Sequence, residues 1–162
     1  YEPPGGPVTI DASNVTFDVD FNADAIVDYS ILFDIYASTN NFMISDDGGN
    51  LVDSNSGIMN IVPAGGTVGP STTGWETSGF FDGFIGLRGY AGVAFFFDNS
   101  SPHFGFLDIE LNSANDALTI YGRAYDSTPG IPITTPSVPE PSSILALAIG
   151  ATAICLRRRK RK

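Results

Sequence analysis

The sequence has little cysteine and few cations. Its 162 residues include one cysteine, Cys155, so the chain can form no intramolecular disulfide and no cluster of thiolate ligands. Six of the eight basic residues stand at 157–162, which leaves Arg88 and Arg123 among residues 1–138, whereas all but one of the 18 acidic residues fall in that same range. A domain with this charge repels phosphate groups and has no basic stripe. The composition therefore excludes nucleic acid as a partner.

The signatures of common enzymes are also missing. His103 is the only histidine and no Gly-x-Ser-x-Gly motif occurs, so the chain lacks the sequence pattern of a serine hydrolase. Asp108 and Glu110 lie two residues apart, which in a strand places both carboxylates on one face, where we expect them to be solvated. Glycosidases instead need two carboxyl groups whose pKa values are driven apart. We therefore predict that the protein is not an enzyme.

Helical patterning is absent from the main part of the chain. Between residues 7 and 136 no segment keeps apolar residues at a spacing of three and four over several turns, so no long amphipathic helix is expected. Apolar and polar residues alternate instead, most clearly over 15–21. Comparable segments occur at 29–37, 58–62, 84–88, 93–97, 104–111 and 118–125. These short strands indicate an all-β fold of two packed antiparallel sheets, a β-sandwich or jelly-roll.

Composition divides the chain into four parts. Residues 1–7 are rich in proline and glycine and read as a linker or the start of a fragment, and residues 8–128 form the predicted β-sandwich domain. Residues 129–138 combine proline with serine and threonine, which predicts an extended, solvated linker. The remaining residues, 139–162, form an apolar and then basic tail. We therefore expect one folded domain that is separated from its tail by a flexible segment.

The tail has the charge pattern of a membrane-spanning helix. Residues 142–156 are an uncharged run of 15 residues, which would span about 22 Å as a helix against about 30 Å for a hydrocarbon core. Six cations follow, and they favour the cytoplasmic side; they are Arg157, Arg158, Arg159, Lys160, Arg161 and Lys162. We expect one C-terminal transmembrane helix, with the acidic domain outside the cytoplasm.

The complete tail resembles a bacterial sorting signal. Val138, Pro139, Glu140 and Pro141 precede the apolar run, and the basic residues follow it; this order and spacing are similar to those of the PEP-CTERM signal of bacteria that export polysaccharide. The resemblance implies that the Pro-Glu-Pro element is recognised and cleaved by exosortase, a membrane protease or transpeptidase. It also implies an inner-membrane precursor and a final place at the cell surface or in the extracellular matrix, with exopolysaccharide as a further partner.

A simpler interpretation of the same tail is a permanent single-pass anchor. In that case Pro139 and Pro141 only mark the start of the helix, because proline keeps the preceding backbone extended and cannot join a helix interior. The two interpretations place the domain on the same side of the membrane. They differ in whether the mature protein keeps its last residues.

Residues 20–31 are rich in oxygen ligands that suit calcium. Read as a D-x-N-x-D loop, the segment supplies side chains at alternate positions and one backbone carbonyl; the candidate ligands are Asp20, Asn22, Asp24, Ile26 and Asp28. Ala25 occupies the position that usually holds glycine, and Ile31 the position of the bidentate glutamate. The alternative is that these carboxylates form the polar face of a hairpin. We predict no cofactor other than this candidate calcium ion.

The predicted loops 45–57 and 64–79 are the usual place for a binding function in a β domain. Aromatic faces stack on sugars, and four aromatic residues are candidates to line a carbohydrate-binding surface, namely Trp75, Tyr90, Tyr121 and Tyr125. The alternative is that these residues pack in the hydrophobic core, as aromatic residues commonly do in an aromatic-rich β domain. The sequence thus favours a non-enzymatic surface or matrix protein, with a calcium-dependent or carbohydrate-binding adhesin as the alternative.

Overall fold

The computed structural model describes residues 6–12, 15–34, 41–46, 50–97 and 101–137. These residues form strands, turns and a single 3₁₀ turn, Phe81–Phe84. The longer strands are β1 (Val8–Asp11), β2 (Thr16–Val19), β3 (Tyr29–Asp34), β4 (Asn41–Asp46), β5 (Leu51–Asn55), β10 (Ser78–Phe80), β11 (Leu87–Phe95), β12 (His103–Leu111) and β13 (Ala117–Tyr125). The two-residue strands are β6 (Ile58–Met59), β7 (Ile61–Val62), β8 (Thr67–Val68), β9 (Trp75–Glu76) and β14 (Ile133–Thr134). The prediction of an all-β domain is confirmed.

Twelve strands form one sheet in the order β1-β13-β12-β11-β5-β6-β10-β4-β3-β2, with β7 and β9 paired to β11 and β5 off this path, and β8 and β14 form a separate two-stranded sheet. Pairing along the path is antiparallel except between β10 and β6. Strand β5 joins the two halves of the sheet, because its first residues pair with β11 and its last residues pair with β6. The two halves enclose one main core, which gives the domain a barrel-like or sandwich-like shape.

Tyr29 connects the two halves through the middle of this core. Its side chain is fully buried, and the single proton of its hydroxyl is shared between the backbone carbonyls of Ala94 at 2.7 Å and Leu51 at 2.9 Å. A buried hydroxyl needs such partners. Strand β3, which carries Tyr29, is therefore tied to the point where β5 and β11 pair.

A second, smaller apolar cluster lies on the outer face of the β11–β12–β13 region. It contains side chains from β7 and β8 that cover residues of β11 and β12, and it comprises Val62, Val68, Tyr90, Ala94, Phe104 and Phe106, with Leu51, Trp75, Ala124 and Ile133 at its margin. Strand β12 is consequently buried on both faces along most of its length. Part of this outer layer, including β8 and Trp75 of β9, comes from the segment 64–79 that the sequence predicts to be a loop.

Three predictions about local structure need correction. The segments 45–57 and 64–79 are not simply loops, because they contain β5, β8 and β9. The predicted strand at 84–88 is wrong in its first half, where the 3₁₀ turn ends at Phe84 and Gly86 takes a left-handed conformation with φ of 73°. Strand β11 then continues without interruption into the segment predicted as a separate strand at 93–97 and ends at Phe95. Of the predicted strand at 29–37, residues 29–34 are strand β3 and the rest lie outside the described residues.

The predicted solvated linker at 129–138 is also wrong for residues 133–135. Strand β14 pairs with β8, placing Ile133 opposite Val68. Thr135 is 2% exposed, and its hydroxyl donates a hydrogen bond of 2.8 Å to the Pro63 carbonyl. Its N–H donates to the Gly66 carbonyl at 2.9 Å. The folded unit therefore extends beyond the predicted limit at residue 128 and includes Thr135.

The predicted tail lies outside the described residues, which end at residue 137. Among the residues that the structure does describe, no helix is long and apolar enough to cross a membrane.

Candidate functional site

A β-bulge shapes the outer face of the domain. In the pairing of β12 with β13, Asp108 lies opposite Gly122 but the next residue, Ile109, lies opposite Ile120. Tyr121 is therefore the extra residue in β13. A bulge of this kind redirects one side chain and changes the face on which the following residues point. Here it places the Tyr121 side chain on the same face as that of Asp108, outside the main core.

The redirected tyrosine supports a charged cluster. The Arg88 guanidinium lies 3.7 Å from the centre of the Tyr121 ring, a cation–π contact. It also donates two hydrogen bonds of 2.9 Å to Asp108, one from Nε to Oδ1 and one from Nη2 to Oδ2. The Tyr121 hydroxyl donates to Glu110 at 2.6 Å. These contacts fix the orientation of the guanidinium from two sides.

Burial differs sharply between the two members of the ion pair. The Asp108 side chain is 7% exposed and that of Arg88 is 51% exposed. The bidentate geometry is the strong form of this interaction, and a carboxylate buried to this extent needs a partner of opposite charge. The prediction that Asp108 is solvated is therefore wrong, because the outer apolar layer and Arg88 cover it.

A cleft of about 330 Å³ lies beside this ion pair. One wall is the segment 61–64, and the other consists of Arg88, Gly89, Tyr90 and Asp108. A Cβ atom on Gly89 would approach the Ile61 side chain to 2.8 Å, so glycine allows the two walls to lie close together. Burial, and then the charge of Asp108, raise the pKa of the Tyr90 hydroxyl. The cleft thus offers fixed donors and an acceptor next to an apolar wall.

The predicted calcium ligands lie on one tight loop, where their oxygens bind the backbone of the same loop. Asp20 accepts hydrogen bonds from the N–H groups of Ala23 at 2.7 Å and Ala25 at 2.9 Å. Asp24 accepts from Ile26 at 2.8 Å, and Ala23 and Ala25 have left-handed φ values of 60° and 67°. Within the described residues no group of three His, Cys, Asp or Glu side chains is placed to hold a metal ion.

The other two candidate ligands also bind within the loop region. The Asn22 side chain bonds to Asp24, with its amide 2.8 Å from the Asp24 carboxylate. Asp28 is 6% exposed and accepts a hydrogen bond of 2.6 Å from the Phe21 N–H. Burial is the main reason why the pKa of Asp28 is raised. Calcium binding by Asp20, Asn22, Asp24, Ile26 and Asp28 stays a prediction.

Only two of the four candidate sugar-binding aromatics come together. Tyr90 lines the cleft and Tyr121 lies under Arg88. Trp75 packs against Phe104 in the outer apolar cluster, with 5.8 Å between ring centres. Tyr125 instead belongs to an aromatic group with Phe21, Phe95, Phe97 and His103 at the margin of the main core.

Sequence reasoning missed Arg88 and the segment 61–64 as parts of a site. The available signal was that Arg88 is one of two cations in an acidic domain.

A second polar cluster was missed as well. Glu76 accepts hydrogen bonds from the Ser54 hydroxyl at 2.5 Å and the Gly57 N–H at 2.8 Å; these bonds, in that order, lower its pKa. This cluster ties β9 to the β5–β6 turn.

Fold and site together describe an all-β domain that has a small surface cleft and is followed directly by its tail. Residues 137–160 match the family of the PEP-CTERM protein-sorting motif. Neither a curated protein nor a solved structure matches the chain. The chain thus carries a PEP-CTERM protein-sorting motif, and this motif implies a membrane-associated precursor that is exported and processed by exosortase.

Proposed function

We propose that this protein is a non-enzymatic component of the cell surface or the extracellular matrix, released from its membrane precursor by cleavage near Pro139, Glu140 and Pro141. The observation that carries the proposal is the sorting motif at 137–160, which begins two residues after Thr135, a residue whose hydroxyl is hydrogen-bonded to the folded domain. A carbohydrate-binding or calcium-dependent adhesin is the alternative role for the same exported domain.

The charge distribution supports a defined topology for the precursor. The run 142–156 forms the membrane helix, and the six cations at 157–162 keep its C-terminal end in the cytoplasm. The domain is acidic, with two cations before residue 139, so it has no comparable signal for cytoplasmic retention. In this arrangement the Pro-Glu-Pro element lies on the outer side of the inner membrane, within reach of a membrane enzyme.

The chemistry of the described residues supports a non-catalytic role. Both oxygens of Asp108 are engaged by Arg88, and Glu110 is engaged by the Tyr121 hydroxyl. His103 is 5% exposed and stacks on Phe95, while its Nδ1 lies 3.0 Å from the Asp126 carbonyl. These contacts serve packing and charge compensation, whereas a general base must reach a substrate proton.

The mass of the mature protein tests this proposal. Protein purified from the surface of an exosortase-containing host should end close to residues 139–141 and lack Lys162. Replacing Pro139, Glu140 and Pro141 by alanine should retain the full-length mass in the membrane fraction, whereas Ser142→Ala with Ser143→Ala should still be processed. A mature surface protein that keeps Lys162 would instead establish the permanent single-pass anchor.

A further inference from the structure

The polar wall of the cleft has one donor group and one acceptor group in fixed positions. Arg88 and Asp108 both line it, and their two hydrogen bonds lock their relative orientation. Each carboxylate oxygen has two lone pairs and the guanidinium has five N–H groups, so the pair can bond to each other and to a ligand. The cation–π contact with Tyr121 holds the guanidinium from behind. A preorganised pair of this kind loses little conformational entropy when a ligand binds.

The charge of the site selects against ionic ligands. Arg88 is neutralised by Asp108, and Glu110 lies one hydrogen bond away through Tyr121. An anionic ligand would meet two carboxylates in a domain that is strongly acidic, and a cationic ligand would meet the guanidinium at close range. The electrostatics therefore favour a neutral ligand that carries both donors and acceptors.

The opposite wall suits a carbon skeleton. It is formed by Ile61, Val62, Pro63 and Ala64, of which Pro63 and Ala64 are exposed and Ile61 is 38% exposed. A cleft of about 330 Å³ falls at the small end of the roughly 300–1,000 Å³ range of ligand sites. A neutral ligand with hydroxyl groups on one edge and C–H groups on its face fits both walls.

We propose that this cleft binds one neutral sugar residue of a polysaccharide. Hydroxyl groups of the sugar donate to Asp108 and accept from Arg88, while the ring face packs on Pro63 and Ala64. The inference goes beyond the sorting route, since binding at the cleft does not require that the tail be cleaved.

Saturation-transfer NMR on the full chain tests the inference. The protein is held in lauryldimethylamine oxide micelles, because a detergent without a sugar headgroup leaves the cleft open. The probes are D-glucose, D-galactose and D-mannose at up to about 50 mM, with D-glucuronate and D-glucosamine as charged comparators. At least one neutral sugar should bind with a roughly millimolar dissociation constant, and both charged sugars should bind more weakly.

Ala64→Phe fills the cleft mouth without touching the ion pair, and Ala114→Phe is the matched control at an exposed turn position away from the cleft. Ala64→Phe should weaken neutral-sugar binding by at least about tenfold, while the control leaves it unchanged and both variants unfold at the wild-type temperature. Three results would overturn the inference: no neutral sugar binds, binding survives Ala64→Phe, or glucuronate binds as tightly as the neutral sugars. None of these results bears on where the tail is cleaved.

Discussion

One buried hydroxyl contributes to the attachment of the C-terminal strand to the domain, and Thr135→Val tests that contribution. Thr135 is 2% exposed. Its Oγ1 donates to the Pro63 carbonyl at 2.8 Å and lies 3.3 Å from the Gly66 carbonyl. Valine has nearly the same shape, so the substitution removes the hydroxyl without leaving a cavity. The N–H bond from residue 135 to the Gly66 carbonyl at 2.9 Å is kept.

The expected loss of stability in Thr135→Val depends on whether the Pro63 carbonyl keeps another hydrogen-bond donor. It also accepts a hydrogen bond of 2.8 Å from the Gly66 N–H, so it is not left without a donor when the hydroxyl is removed. The substitution therefore does not incur the penalty of about 1–3 kcal/mol for an unsatisfied buried group. We expect instead the loss of one ordinary hydrogen bond, which lowers the free energy of unfolding by about 1 kcal/mol. Thr134→Val is the matched control, because Thr134 is exposed, and we expect it to change stability by less than about 0.5 kcal/mol.

Hydrogen exchange at the residue 135 amide is the assay, because it reports both local release of β14 and global unfolding. A loss of about 1 kcal/mol should raise the exchange rate roughly fivefold in Thr135→Val. The same amide in Thr134→Val should exchange at the wild-type rate. Equal protection in the two variants would refute the reasoning, because it would show that the hydroxyl does not hold the strand.

Two further predictions concern the core and the pH dependence of stability. Tyr29→Phe removes the hydroxyl that bonds to Leu51 and Ala94, and urea unfolding should show a loss of about 1–3 kcal/mol; an unchanged midpoint would contradict the role of Tyr29 as a tie across the core. Burial raises the pKa of Asp28 in the folded state, so its contribution to stability is greatest below the unfolded pKa of about 3.9 and is lost as pH rises through the folded pKa. Asp28→Asn, whose amide oxygen can still accept from Phe21, should therefore flatten the decline in melting temperature as the pH rises above about 4; a decline as steep as that of the wild type would exclude Asp28 as its source.

The longer strands could be predicted from the sequence because their alternation lasts over several residues. The patterns at 15–21, 104–111 and 118–125 correspond to β2, β12 and β13. Two-residue strands such as β8 and β14 show no period at all. They form because distant apolar residues cover the outer face of the sheet, with Val68 and Ile133 paired across 65 residues of sequence. Only the folded chain brings such partners together.

The candidate site was less accessible to sequence reasoning for a related reason. Asp108 and Glu110 alternate with apolar residues, which is typical of a solvated strand face. The structure adds an outer layer over that face and a bulge at Tyr121, and neither has a local signature. Arg88 was a usable signal, since it is one of only two cations in an acidic domain and such a cation is expected to lie near a carboxylate that needs it.

The position of Thr135 also bears on how processing affects the domain. Three residues separate Thr135 from Pro139, so covalent geometry alone limits Pro139 to about 14 Å from Thr135. A membrane enzyme that reads the Pro-Glu-Pro element must therefore work close to the folded surface formed by β8 and β14. Yet every described contact that holds the C-terminal strand precedes residue 136. Cleavage near Pro139 would leave those contacts intact, so the domain should have the same stability before and after it leaves the membrane.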